Sequence, residues 1–117
     1  MWKNNTLGGY IMQKPTIGVQ MMMLKDKIAQ DGIRETFKKV KEIGFSTVEL
    51  SQIEMTPENV EAIKSSLEEF DMKVCATSAA LKPMAPGITM ENLKDNFDKI
   101  VADTKALGCK YIRIGMI

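Results

Sequence analysis

Four polar side chains on predicted strands have the types and the spacing to bind a substrate: Gln20, Glu49, Thr77 and Arg113. Side chains along a strand alternate between the two faces of a sheet, and the aliphatic neighbours of these residues occupy the other face. A carboxylate such as Glu49 is costly to place inside a parallel sheet unless a cation, a metal or a substrate hydroxyl lies beside it. We therefore predict that the four side chains share one face and form a candidate substrate-binding surface.

Glu49 and Arg113 allow a structural and a functional interpretation. Alternate strands of a closed parallel sheet contribute side chains to the same interior layer, so the two residues can form an internal ion pair. Alternatively, the Arg113 guanidinium binds a substrate phosphate through two parallel hydrogen bonds. We favour the ion pair, because charged groups inside proteins are more often structural partners than functional ones.

Histidine is absent from all 117 residues. The side chain most used as a general base near neutral pH and as a metal ligand is therefore missing, which excludes histidine-based triads and histidine-zinc sites within this chain. Cys75 has no histidine or lysine cluster beside it to activate the thiol, so we predict a packed, unreactive side chain. The residues alone assign neither a catalytic group nor a metal ligand.

The elements that must position these side chains alternate regularly along the sequence. Strands are predicted over residues 16–21, 47–50, 73–77 and 111–116, with a loop over residues 22–30 and helices over 31–43, 56–70 and 89–107. Gly44 is predicted to end the first helix, Thr56 and Pro57 to begin the second, and Thr89 to cap the third. Short turns between each helix and the next strand predict an α/β fold with a parallel sheet and right-handed crossovers.

Charge and composition limit the partners. The 16 basic and 15 acidic residues leave a net charge of +1, which gives no electrostatic reason to expect nucleic acid, and no segment is apolar enough to cross a membrane. The two cysteines and ten methionines suit a cytoplasmic protein. We expect residues 1–15 to be a flexible leader outside the fold and residues 16–117 to form one domain.

Three segments carry a resemblance to a known family: residues 17–20, 36–50 and 106–113, of which the helix-Gly-aromatic-x-x-Val-Glu-Leu stretch ending at Leu50 is the most specific. They resemble the sugar phosphate isomerase/epimerase family of xylose-isomerase-like TIM barrels. A whole barrel needs about 250 residues, so the resemblance implies a parallel (βα)3β unit that forms the N-terminal half of one. It also implies a sugar or sugar phosphate as substrate and a role in carbohydrate metabolism.

The resemblance also implies a mechanism. Members of this family use a divalent metal (manganese, cobalt, magnesium or zinc) held on later strands, and two carboxylates move a proton between adjacent carbons of a ketose or aldose. Those positions lie beyond Ile117, and Ser78 stands where relatives often carry a histidine. We therefore expect no cofactor for this chain and no activity from these residues by themselves.

Two alternatives to a partial isomerase remain open. One is a non-catalytic half-barrel that dimerises through its open strand edges or binds a small molecule. The other is a flavodoxin-like signalling domain, which the sequence disfavours because Gln20 and three methionines stand where such a receiver needs clustered acidic residues.

Overall fold

The computed structural model describes residues 5–7, 10–12, 14–87 and 90–115. The strands are β1 (Asn5–Leu7), β2 (Tyr10–Met12), β3 (Val19–Gln20), β4 (Thr47–Leu50), β5 (Lys73–Ala79) and β6 (Ile112–Ile114). The helices are α1 (Lys25–Asp31), α2 (Ile33–Ile43), α3 (Pro57–Glu69) and α4 (Leu93–Ala106), and a 3-10 turn (Met21–Leu24) joins β3 to α1.

The main sheet has four strands in the order β3-β4-β5-β6, and all three neighbouring pairs are parallel. The strands therefore lie side by side in the order in which they occur along the chain. Each parallel neighbour is reached through at least one helix, as parallel pairing requires. The predicted α/β class with a parallel sheet is confirmed.

One face of this sheet packs against the helices and forms the core. Val48 and Leu50 of β4 are buried on this face together with Val74 of β5. Phe37 of α2 and Ile63 of α3 lie in the same cluster and are completely buried. Burying an aliphatic or aromatic side chain of this size stabilises a fold by roughly 1.5–3 kcal/mol, so this single cluster accounts for the packing of the helices on the sheet.

Local signals set two helix ends as predicted. The Thr56 side chain accepts a hydrogen bond from the Asn59 backbone N–H at 3.1 Å, and Pro57 occupies the first helical position of α3. Gly44 ends α2 in a left-handed conformation with φ of 118°, where a side chain would be strained. Strand β4 also has its predicted bounds.

The region between β3 and α2 differs from the prediction. Residues predicted as a loop form the 3-10 turn and α1, and Gly32, with φ of 87°, separates α1 from α2. Strand β3 is correspondingly short, with only two residues in the ladder. Ile28 of α1 packs against the core, which explains why this segment is helical despite its weak apolar pattern.

Helix α4 also begins differently. Its N-cap is Asn92, whose side chain accepts from the Asp95 backbone N–H at 3.0 Å, so the prediction of a Thr89 cap is wrong; Thr89 itself lies outside the described residues. Asn96 has non-helical angles, which kink the helix. Phe97, predicted to lie on the apolar stripe, is 57% exposed, whereas Ile100 and Leu107 are buried.

Residues that were expected to be a leader contain an antiparallel hairpin. Strand β1 pairs with β2 in a two-stranded sheet separate from the parallel one, with Thr6 opposite Ile11. The alternation of polar and apolar residues there is too short to have predicted a strand. In the part of the chain that the structure describes, no helix combines the length and the apolar character needed to cross a bilayer.

Candidate functional site

A three-residue polar cluster crosses the sheet on the face opposite the helices. The Glu49 carboxylate on β4 accepts a hydrogen bond from the Arg113 Nε on β6 at 2.5 Å and from the Ser78 hydroxyl on β5 at 3.0 Å. Both contacts converge on one carboxylate oxygen, Oε1. The predicted pairing of Glu49 with Arg113 is confirmed, but the prediction that the pair is internal is wrong, because the Arg113 side chain is half exposed. We call these three residues the open-face cluster.

The open-face cluster is accessible to solvent. The side chain of Glu49 is 22% exposed and that of Arg113 is 50% exposed. An ion pair in contact with water stabilises a protein by at most about 1 kcal/mol, whereas breaking a fully buried pair costs roughly 3–5 kcal/mol. The pair is thus a partly hydrated contact.

The Arg113 guanidinium is only partly occupied by this pairing. Its Nε binds Glu49, while its two terminal nitrogens have no hydrogen-bond acceptor among the described residues. These terminal nitrogens carry N–H groups in a planar arrangement that matches a phosphate or carboxylate. Glu49 therefore holds the guanidinium by one edge and leaves the other edge available.

Thr77 lies on the opposite face from the one predicted. In the β4–β5 ladder Val48 is opposite Val74 but Glu49 is opposite Ala76, so β5 contains one extra residue at this point. That bulge reverses the alternation beyond Cys75. Thr77 is consequently buried under α4, with its hydroxyl 3.0 Å from that of Thr104.

Ser78 occupies the position on the open face that Thr77 was predicted to take. In the β5–β6 ladder it is directly opposite Arg113. Cys75 is exposed at the bulge, so the prediction that it is a packed thiol is also wrong, and both cysteines are free. No signal in the sequence marks the bulge, because it depends on how two strands pair.

Gln20 lies beside Glu49 but has a local role. The two residues are opposite each other in the β3–β4 ladder. The Gln20 side-chain oxygen accepts a hydrogen bond from the Met22 backbone N–H at 2.9 Å and caps the 3-10 turn. Its substrate-binding role stays a prediction, and so do those of Glu49, Thr77 and Arg113.

A cavity of about 480 Å³ lies at the carboxyl ends of β4 and β5, between the loop that follows β4 and helix α4. Its lining includes the hydroxyl-bearing residues Ser51, Thr77, Ser78 and Thr104 and the apolar residues Leu50 and Ile100, so it borders the open-face cluster at Ser78. Ligands of parallel α/β sheets bind at this end of the strands. The sequence analysis missed this cavity, because its walls come from segments about 50 residues apart.

Lys99 of α4 lies at the edge of this cavity and connects α4 to the loop after β4 and to the segment before α4. Its ammonium group lies 2.5 Å from Glu91 and 2.8 Å from Asp103, and it donates to the Met55 backbone oxygen at 2.8 Å. Three acceptors match the three N–H groups of an ammonium. Burial opposes the charge of Lys99, but the bonds to Asp103 and Glu91 outweigh it and raise its pKa above the usual range.

The metal that the resemblance implies stays a prediction, because its ligands are expected on later strands. Within residues 14–87 and 90–115, no three side chains of the metal-binding types come together. Ser78, where relatives often carry a histidine, already donates its hydroxyl to Glu49. No metal-dependent step is therefore assigned to this part of the chain.

Comparison with known proteins assigns the chain to no family. No protein-family model matches the chain, and no curated protein is similar to it in sequence.

Proposed function

We propose that this chain forms the N-terminal (βα)3β half of a TIM-barrel sugar or sugar-phosphate isomerase/epimerase, in which it binds substrate. The observation that carries the proposal is the order of the sheet. Four parallel strands follow one another in chain order, and the core lies on one face while the other face presents polar groups. A doubly wound sheet reverses its strand order and covers both faces with helices, whereas a barrel does neither.

The open-face cluster supports a phosphorylated or otherwise anionic substrate. The free edge of the Arg113 guanidinium binds the anionic group through two hydrogen bonds, and the unoccupied oxygen of Glu49 accepts from a substrate hydroxyl. Within this proposal both groups hold the substrate, because Glu49 is already committed to a cation and the described strands carry no other carboxylate. The proton transfer then requires groups from elsewhere in the enzyme.

Substrate binding is tested by titrating the 117-residue chain with a ketose phosphate and recording backbone amide shifts by NMR. We expect saturable shifts around Glu49 and Arg113, and their loss in Arg113→Met. Arg34→Met is the matched control, because Arg34 binds Glu69 and Glu35 on the helical surface. Equal binding by both variants contradicts the proposal, as does isomerase turnover by a preparation free of any longer enzyme.

Self-association through the sheet edges is the second candidate. Strands β3 and β6 are the edges of the parallel sheet, and Ile114 on β6 is 47% exposed. A second copy adding its four strands brings the count to eight, the number of strands in a TIM barrel. Sedimentation at several concentrations decides this: association supports it, and a well-folded monomer at micromolar concentration contradicts it.

A further inference from the structure

Ser78 lies on the strand between the two charged members of the open-face cluster. Glu49 is on β4 and Arg113 is on β6, and β5 separates these two strands. Neighbouring strands lie about 4.8 Å apart, so an ion pair between β4 and β6 has to cross over β5. Ser78 is the β5 residue directly opposite Arg113, and its hydroxyl reaches Glu49 on the other side. The ion pair therefore crosses the sheet beside Ser78.

The Ser78 hydroxyl limits how the Glu49 carboxylate can turn. The last torsion of a glutamate side chain is broadly distributed, so a single ion-pair contact does not fix the plane of the carboxylate. Here Oε1 of Glu49 accepts from two donors on different strands, the Arg113 Nε and the Ser78 hydroxyl, the latter at 3.0 Å. The second donor therefore fixes the orientation of the oxygen that Arg113 binds.

The orientation of Glu49 in turn sets that of the Arg113 guanidinium. The Arg113 side chain is half exposed, and its Nε bond to Glu49 is the only hydrogen bond it makes within the described residues. A long, solvated arginine side chain has many rotamers, and ordering it on binding a ligand costs affinity. A carboxylate held in one orientation keeps the Nε edge engaged, so the two terminal nitrogens are presented together to an incoming anion.

We propose that Ser78 is a positioning residue of the open-face cluster, which holds the Glu49 carboxylate so that Arg113 is arranged in advance to bind an anionic substrate. Ser78 itself needs no contact with that substrate. Its effect on substrate affinity rests on the proposed function, whereas its effect on the Arg113 side chain requires no ligand. The two effects can therefore be measured separately.

The first measurement follows the Arg113 side chain in the ligand-free 117-residue protein. The chain contains only two arginines, so a ¹H–¹⁵N spectrum has two Nε–H signals to assign, and Arg113→Met identifies one of them. In Ser78→Ala we expect the Arg113 Nε–H to exchange faster with water, because its bond to Glu49 is less persistent. Arg34 is the internal reference, since its Nε donates to Glu69 at 3.0 Å on the helical surface. An unchanged exchange rate at Arg113 overturns the proposal.

The second measurement is the affinity for fructose 6-phosphate, determined by NMR titration. Ser78→Ala should weaken binding about fivefold, the effect of losing one hydrogen bond that orders the site. Ser78→Thr keeps the hydroxyl and should restore the affinity. Ser65→Ala is the matched control and should bind as the unchanged protein does, because the Ser65 hydroxyl also donates to a glutamate, Glu61, but on the exposed surface of α3. A Ser78→Thr variant that binds as weakly as Ser78→Ala overturns the proposal.

Failure of the proposed function would give a different result from failure of this inference. If the unchanged protein does not bind fructose 6-phosphate, the substrate-binding role is wrong, and the exchange rate at Arg113 alone decides whether Ser78 positions the guanidinium. If the unchanged protein and Ser78→Ala bind fructose 6-phosphate equally well, the substrate-binding role stands and the positioning role of Ser78 is wrong.

Discussion

The energy of the Glu49–Arg113 pair follows from its exposure and can be measured by a double-mutant cycle. Glu49→Gln and Arg113→Met each remove one charge while preserving most of the side-chain volume. With Arg113 half exposed and Glu49 at 22%, the pair lies between a surface contact and a buried one. We expect a coupling energy of about 1 kcal/mol, the upper end of the range for solvated pairs.

The salt dependence of the coupling energy provides a second test of how exposed the Glu49–Arg113 pair is to solvent. The Debye length falls from about 10 Å at 0.1 M salt to about 3 Å at 1 M. The coupling energy of a hydrated pair should therefore decrease at 1 M salt, while that of a fully buried pair should hardly change. Both salt concentrations can be used with the four proteins of the cycle: the unchanged protein, the two single variants and the double variant.

Urea denaturation of the four proteins is the assay, with equal m-values required for the comparison. A coupling energy of 3 kcal/mol or more at both salt concentrations means that water does not reach the pair. A coupling energy indistinguishable from zero means that the contact between β4 and β6 does not persist in solution. Either result refutes the reasoning from exposure.

Three further predictions concern stability. Gly18→Ala places a Cβ 2.8 Å from a backbone oxygen of β4 and should lower the unfolding free energy by about 1–3 kcal/mol. Gly115→Ala is the control in the same urea assay and should be tolerated, because its Cβ would have no neighbouring atom within 4 Å. Thr56→Ala removes the N-cap of α3 and should cost about 1 kcal/mol, read from the denaturation midpoint. The hydrogen bond from Arg34 lowers the pKa of Glu69 in the folded protein. The pair therefore stabilises the fold at pH values above the ordinary carboxyl pKa, and this stabilisation is lost as the pH falls through the lowered pKa of the folded state. Glu69→Gln should therefore reduce the acid sensitivity of the melting temperature, and an unchanged acid profile would contradict that assignment.

The sequence by itself determined the features that depend on a few neighbouring residues. The ends of α2 and α3 follow from Gly44, Thr56 and Pro57, whose preferences act within one helical turn. The bounds of β4 and the parallel α/β class follow from apolar periodicity and short connections. Pairing of Glu49 with Arg113 was also predictable, because each lies on a well-defined strand and opposite charges on one face attract.

Only the tertiary structure decided which residues meet at the two sites. Strand pairing introduces the bulge at Cys75, and this one extra residue sends Thr77 to α4 and brings Ser78 to Glu49. The cavity exists because the segment after β4 and helix α4, far apart in sequence, come together at one end of the sheet. Side-chain alternation is a rule about unbroken strands, whereas bulges and cavities arise from the packing of distant segments.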